Sequence, residues 1–254
     1  MNYRMICYLI GRILLVEAAL MLLPLGTALI YGEPLLPFLV AMAGLAVTGL
    51  LLSRQKPGKG TLYARDGFAV VALVWLLMSA FGALPLMLSG DIPNFVDAFF
   101  ETVSGFTTTG ATILTEVETL SRSGLLWRSF THWIGGMGVL VFVLIVLPVT
   151  GGSAMHLLRA EAPGPSVGKL VSHMRDTSRI LYSIYLVMTL VLIVLLLLGG
   201  MSLFDACIHA FGTALLHRYK FMIYLWRMYG FLKIFKKKKQ GLFCPCPFLS
   251  SSGQ

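Results

Sequence analysis

Five stretches of the chain are dominated by apolar side chains, at about residues 9–30, 35–52, 67–88, 129–149 and 180–200. At about 1.5 Å per residue each matches a hydrocarbon layer about 30 Å thick, so the pattern predicts helices that cross a bilayer. The second is short and carries Gly44 and Gly49. The first has the position of a secretory leader, but it lacks a small-residue cleavage site and further spans follow it, so it is expected to be retained. Between the third and fourth runs the spacing changes. Residues 94–104 place Phe95, Ala98, Phe99 and Thr102 at helical spacing behind a potential Asn94 cap, with Asp97 near the positive end of the helix dipole. A helix of about three turns cannot span a bilayer.

The short helix runs into "SGFTTTGAT" at 104–112. Non-helical backbone at membrane depth is tolerated only where protein buries it or where it lines a wet cavity, so a hairpin that enters and returns is expected here. Gly105 and Gly110 supply backbone freedom, and Phe106 can anchor the segment on neighbouring helices. Inward carbonyls can replace the water shell of a small cation, and the threonine hydroxyls can add oxygen ligands or hold the loop. The C-terminal end of the short helix favours a cation, whereas an anion site would use helix N-termini. Glu101 is a candidate structural partner or vestibule charge. An ordinary polar loop remains the simpler reading of the threonines alone.

The order of span, short helix and loop then recurs. "LLLLGG" closes the 180–200 run and "MSLFDACIHAFGTA" follows, with Asp205 in its first turn. This parallels "PNFVDAFFETVSGFTT" and reads as an internal repeat. Trp127, Arg128 and Trp133 read as an interfacial belt, with Arg128 and His132 as headgroup anchors. The "GGMG" at Gly135, Gly136 and Gly138 predicts a helix face that a neighbour can approach closely.

Composition and charge sharpen this picture. The chain is 57% hydrophobic and 12% charged, with a mean hydropathy of +0.83, outside the balance of soluble globular domains. Arg54, Lys56, Lys59 and Arg65 lie in one connection, and Arg159, Lys169, Arg175 and Arg179 in another. Both fall on one side of the membrane, which the positive-inside rule makes the cytoplasm, together with the N-terminus. Cys7 and Cys207 stand in apolar contexts, Cys244 and Cys246 lack nearby ligands, and no catalytic or metal-binding spacing occurs. No enzyme is expected.

Four stretches carry a family resemblance: "DAFFETVSGFTTTGAT", "LLWRSFTHWIGGMGVLVFVLIVLP", "LLRAEAPGP" and "GMSLFDACIHAFGTA". Over about residues 1–214 the chain resembles the Trk/Ktr superfamily of potassium-uptake membrane subunits, in the branch that begins with two additional helices. The resemblance implies an all-α membrane protein whose transmembrane helices enclose re-entrant pore-helix/filter hairpins, in a potassium-channel-like repeat of four units. It implies potassium as transported substrate, no cofactor, a homodimer in the bacterial inner membrane, a cytosolic nucleotide-binding regulatory subunit as partner, and no nucleic acid. Thr107, Thr108, Thr109, Gly110 and Ala111 become the first filter strand, supported by Gly105, Phe106 and Glu101. The implied organisation is 1–52, two additional helices; 53–66, cytoplasmic loop; 67–149, a complete unit; 150–179, cytoplasmic loop; and 180–214, a partial second unit.

After Ala214 the chain departs from the family. Residues 215–254 contain eight of the twenty basic residues, from Arg218 to Lys239, and no acid. A reading-frame shift or truncation is the expected origin of this basic aromatic tail; a membrane-surface segment, or a sixth span over Phe221 to Phe235, is the rival. With one complete filter strand where a closed ring needs about four, the chain as written is expected not to conduct alone. The alternative function is a non-conducting membrane scaffold or small-solute transporter subunit.

Overall fold

The chain divides into two compact units, Met1–Leu215 and Leu216–Gln254. The computed structural model describes residues 3–54, 64–138 and 174–213, all of them in the first unit. Most of the two expected cytoplasmic loops, the second half of the 129–149 span and the basic tail lie outside the described residues.

Eight α-helices and one 3-10 turn at Val117–Thr119 organise the described residues, with no β-sheet strand among them. They are α1 (Tyr3–Leu20), α2 (Leu22–Tyr31), α3 (Leu36–Ser53), α4 (Ala64–Leu88), α5 (Phe95–Phe106), α6 (Arg122–Met137), α7 (Met174–Leu198) and α8 (Leu203–Thr213). Tyr3–Tyr31, Leu36–Ser53 and Asp66–Leu88 are long and apolar enough to cross a membrane, and Tyr182–Leu198 is a shorter apolar helix. The run expected as one span at 9–30 is broken at Met21 into α1 and α2. Pro24 explains the break, because its ring excludes the carbonyl of the residue four back, Leu20, from a regular turn.

Close helix contact is made at small residues. A Cβ on Gly11 of α1 would lie 2.6 Å from the Gly49 carbonyl oxygen of α3, and one on Gly49 would lie 2.9 Å from that of Gly11. The two helices touch backbone to backbone, the mode of association available where lipid removes the hydrophobic drive between helices. Outward faces are apolar: Leu39, Val47 and Leu50 of α3 are exposed, as are Ile184, Val187 and Leu190 of α7. Such faces suit a hydrocarbon solvent.

The interior is built around α6. Trp127, Phe130 and Trp133 follow one another at helical spacing, with ring centroids 6.5 and 5.4 Å apart. Trp127 reaches Phe106 at the end of α5, while Trp133 reaches Tyr185 of α7 and Phe211 of α8. The two short helices α5 and α8 both pack against α6.

Glu17 is the anomaly of this interior. It is fully buried in α1, and neither carboxyl oxygen has a hydrogen-bond partner among the described residues. Its Oε1 lies 3.5 Å from where a Cβ on Gly82 of α4 would stand. Burying a polar group without a partner costs about 1–3 kcal/mol, so Glu17→Met, of similar volume, is expected to stabilise the bundle by about that amount. Thermal unfolding in detergent checks this, and a lower midpoint for the variant would show that the carboxyl contributes to the fold.

Candidate functional site

Helix α5 starts where Asn94 Oδ1 accepts the Val96 amide at 3.1 Å, with Asp97 in the first turn. It is fixed to α4 by the buried Thr102 hydroxyl, which donates to the Ser79 carbonyl at 2.9 Å. Its last turn is enclosed. Phe106 is fully buried between Trp75 and Trp127, with centroids 6.2 and 6.3 Å away, and Trp127 Nε1 donates to the Gly82 carbonyl at 2.8 Å. Gly105 leaves no room for a Cβ beside the Thr131 hydroxyl, and Gly135 leaves none beside the Phe106 carbonyl. The helix runs to Phe106, two residues beyond the 94–104 read from sequence, because this packing holds the extra half-turn.

The helix ends in a doubly hydrogen-bonded turn. Thr108 N donates to the Gly105 carbonyl and Thr109 N to that of Ser104, each at 2.9 Å, the pair of bonds that defines a Schellman cap. The residue at the left-handed position of such a cap is usually glycine. Here it is Thr108, with φ of 56°. The same turn at the end of α7 uses Gly200, with φ of 89°. A β-branched residue in that region is strained, and such strain gathers at functional segments.

From this turn residues 107–113 run as a non-helical strand. The Thr107 and Thr109 hydroxyls lie 2.8 Å apart, and Thr107 Oγ1 donates back to the Val103 carbonyl at 2.7 Å. Gly110 takes φ of 75°, and the Ser104 hydroxyl donates to the Ala111 carbonyl at 2.6 Å. Among the described residues no donor reaches the carbonyls of Thr107, Thr108, Thr109 or Gly110.

Glu101 secures the far end of the strand. Its side chain is 0% exposed; Oε2 accepts from Thr112 Oγ1 at 3.1 Å and from Ile113 N at 3.3 Å, and Oε1 pairs with Arg128 Nε at 2.5 Å. One carboxylate thus joins α5, the strand and α6. Arg128 is only 15% exposed and turns inward, which corrects its reading as a headgroup anchor. Trp127, read as part of an interfacial belt, is fully buried. The reason for both is that α6 begins at Arg122, well before residue 129, so these residues lie within the packed helix. His132 is buried as well, with Nδ1 2.9 Å from the Arg128 carbonyl. Of the glycines in the GGMG stretch, Gly135 meets Phe106, Gly136 is exposed and Gly138 caps the end of α6 with φ of 71°. Ser104, Thr131 and the Glu101–Arg128 pairing were missed from sequence. Two opposite charges within one apolar region were the available signal for the pair.

The start of α6 shows a complete hydrogen-bond account. Asp91 Oδ1 accepts from Ser121 N at 2.9 Å, the Glu33 oxygens accept from Arg122 N at 2.7 Å and Ser123 N at 2.9 Å, and Ser121 Oγ accepts from Gly124 N at 3.1 Å. Every amide that a helix start ordinarily leaves open is satisfied by an oxygen of the protein.

Two outcomes are expected of this geometry in thermal unfolding. Thr108→Gly relieves the left-handed strain at some cost in unfolded-chain entropy, so it should gain ~0.5–1 kcal/mol; a loss would mean that Thr108 side-chain packing outweighs strain. Arg128→Met leaves a buried carboxylate unpaired and should cost about 3–5 kcal/mol, part of it recovered when Glu101→Gln is added. A double variant no more stable than Arg128→Met alone would refute the pairing as the source of the loss.

A family model described as "TrkH: Cation transport protein" matches residues 38–215. The Trk system potassium uptake protein TrkH of Vibrio parahaemolyticus is 37% identical over 218 residues, covering 84% of this chain and 45% of that protein. TrkG of Escherichia coli is 36% identical over 216 residues, covering 84% and 44%. The crystal structure of the potassium transporter TrkH from Vibrio parahaemolyticus superposes with a TM-score of 0.67 at 33% identity, covering 83% of this chain and 42% of that one. The chain spans a little under half the length of the relatives it matches. The match over residues 38–215 takes in the α5 cap, the strand and the α6 contacts, and the chain belongs to the TrkH cation transport protein family of helical membrane proteins.

Proposed function

We propose that this chain belongs to the membrane subunit of a potassium uptake system, and that residues 67–149 form one complete span/pore-helix/filter/span unit of its cation path. The observation that carries the reading is the row of carbonyls from Thr107 to Gly110, which no donor among the described residues reaches, beyond the C-terminal end of α5. Unclaimed carbonyls can take the place of a cation's water shell, and the negative end of a helix dipole favours the same charge. The names of the relatives, potassium uptake proteins, agree with this chemistry.

Within the unit the residues divide their roles. Thr107, Thr108, Thr109 and Gly110 supply the coordinating oxygens. The Ala111 carbonyl is engaged by Ser104 and therefore braces the strand. Glu101, Gly105, Phe106 and Gly135 support it from behind, while Gly136 and Gly138 belong to the end of α6. Residues 1–52 are the additional helices, and 180–214 begin a second unit whose pore helix is α8. In this reading the hairpin is re-entrant, the protein lies in the bacterial inner membrane with its N-terminus and the 53–66 and 150–179 loops in the cytoplasm, and it works as a homodimer with a cytosolic nucleotide-binding regulator. One strand surrounds an ion on one side, and a ring needs about four, so conduction requires strands supplied by further sequence or further chains.

Gly110→Ala is the decisive substitution, because a Cβ at φ of 75° strains the strand. In bacteria deficient in potassium uptake, a longer form carrying the family's remaining units should restore growth on low potassium. The same form with Gly110→Ala should fail at equal membrane abundance. Equal rescue by both forms would remove Gly110 from the filter. The 254-residue chain alone in liposomes should show background potassium flux, and robust selective flux would overturn the need for further strands.

A further inference from the structure

The turn between α2 and α3 lies far in sequence from the strand, yet it holds the helix that holds the strand. Glu33 accepts the Arg122 and Ser123 amides at 2.7 and 2.9 Å, so a residue of the N-terminal helices closes the start of α6. A carboxylate on two helix-start amides gains both charge-assisted hydrogen bonds and the dipole. The contact is reinforced by Arg122, whose guanidinium lies 4.5 Å from the Tyr31 ring centroid and 5.5 Å from that of Phe204. Tyr31 and Phe204 meet edge to face at 5.4 Å. One clasp therefore gathers the end of α2, the start of α6 and the start of α8.

What α6 carries gives the clasp its meaning. Arg128 is six residues beyond Arg122, about 9 Å along a helix that cannot stretch. Its Nε pairs with Glu101, and Glu101 holds Thr112 Oγ1 and Ile113 N. The path from Glu33 to the strand consists of three polar contacts and one rigid helix segment. We propose that Glu33 is a positioning residue for the strand: the N-terminal helices set the axial placement of α6 and, through Arg128 and Glu101, the placement of Thr112 and Ile113. The inference rests on reading residues 107–111 as a filter, because only then does this placement bear on ion selection.

The test uses the 254-residue chain in membrane vesicles, with Cys7, Cys207, Cys244 and Cys246 replaced by serine. A reporter cysteine at Ile113, which is 42% exposed and bonds Glu101 through its backbone, is labelled with a charged thiol reagent. A second reporter at Ala18, buried in α1, reads opening of the bundle as a whole. Glu33→Gln places an amide NH2 against one of the two backbone donors, so Ile113→Cys should label about threefold faster or more while Ala18→Cys stays protected. Glu33→Asp keeps the charge and should restore part of the protection. Unchanged labelling at Ile113→Cys in Glu33→Gln, or an equal rise at both reporters, overturns the proposal. Potassium added to the longer form that carries the family's remaining units, with the same Ile113→Cys reporter and Glu33 intact, reads the filter assignment separately. If potassium leaves the Ile113→Cys rate unaltered there, the ion-site reading falls while the Glu33 comparison still stands on its own result.

Discussion

A carboxylate enclosed by protein has to collect its hydrogen bonds from protein, and at Glu101 that requirement joins three parts of the chain. Arg128 answers its charge, and Thr112 and Ile113 occupy its second oxygen. The cap bonds and Ser104 hold the strand as far as Ala111, and Glu101 is the partner that fixes its far end at Thr112 and Ile113. The ion pair reaches the strand because Gly105 and Gly135 let α5 and α6 meet at backbone distance. Exchanging either glycine for a larger residue would force the helices apart.

Helix α6 is the member on which these contacts converge. One side of it forms an aromatic series from Phe106 through Trp127 and Phe130 to Trp133, which passes to Tyr185 and Phe211. Trp133 Nε1 donates to the Thr189 hydroxyl at 3.1 Å, and the Tyr185 hydroxyl donates to the Trp133 carbonyl at 3.0 Å. Buried indole and phenol groups need such partners, and here α6 and α7 supply them to each other. Aromatic area supplies the cohesion of α6 with α7 and α8, and the polar tips set the register of α6 on α7.

Much of this was legible in the sequence, for physical reasons that differ by residue. Asn94 sits before an apolar spacing of three and four, which is the local signature of a helix start, and the short helix appears there. The apolar lengths of α3 and α4 carry enough information to be read as spans without any tertiary knowledge. Arg128 and Trp127 were misread because an aromatic and a basic residue at the edge of an apolar run look the same whether they face lipid headgroups or a buried partner. The difference lies in Ser121, Asp91 and Glu33, which start α6 early, and two of those three are remote in sequence. Thr108 was legible as polar but not as left-handed, since a threonine in that conformation contradicts its local preference and is held by the bonds around it. The clasp at Arg122 depends on rings that lie 91 and 82 residues away, so no local pattern announces it.

The saturated start of α6 bears on what can gather at this end of the bundle. An uncapped helix start is a ready-made cradle for chloride or phosphate, since its amides converge on whatever negative group approaches. In this protein Asp91, Glu33 and Ser121 already occupy those amides, a few residues downstream of the strand. A mobile anion arriving there finds no free backbone donor at this helix and meets two fixed carboxylates in its place. Protein-borne negative charge, which cannot diffuse away or be exchanged with the medium, thus takes the position a bound counter-ion would hold. The helix start is closed to anions even though its dipole alone would attract them.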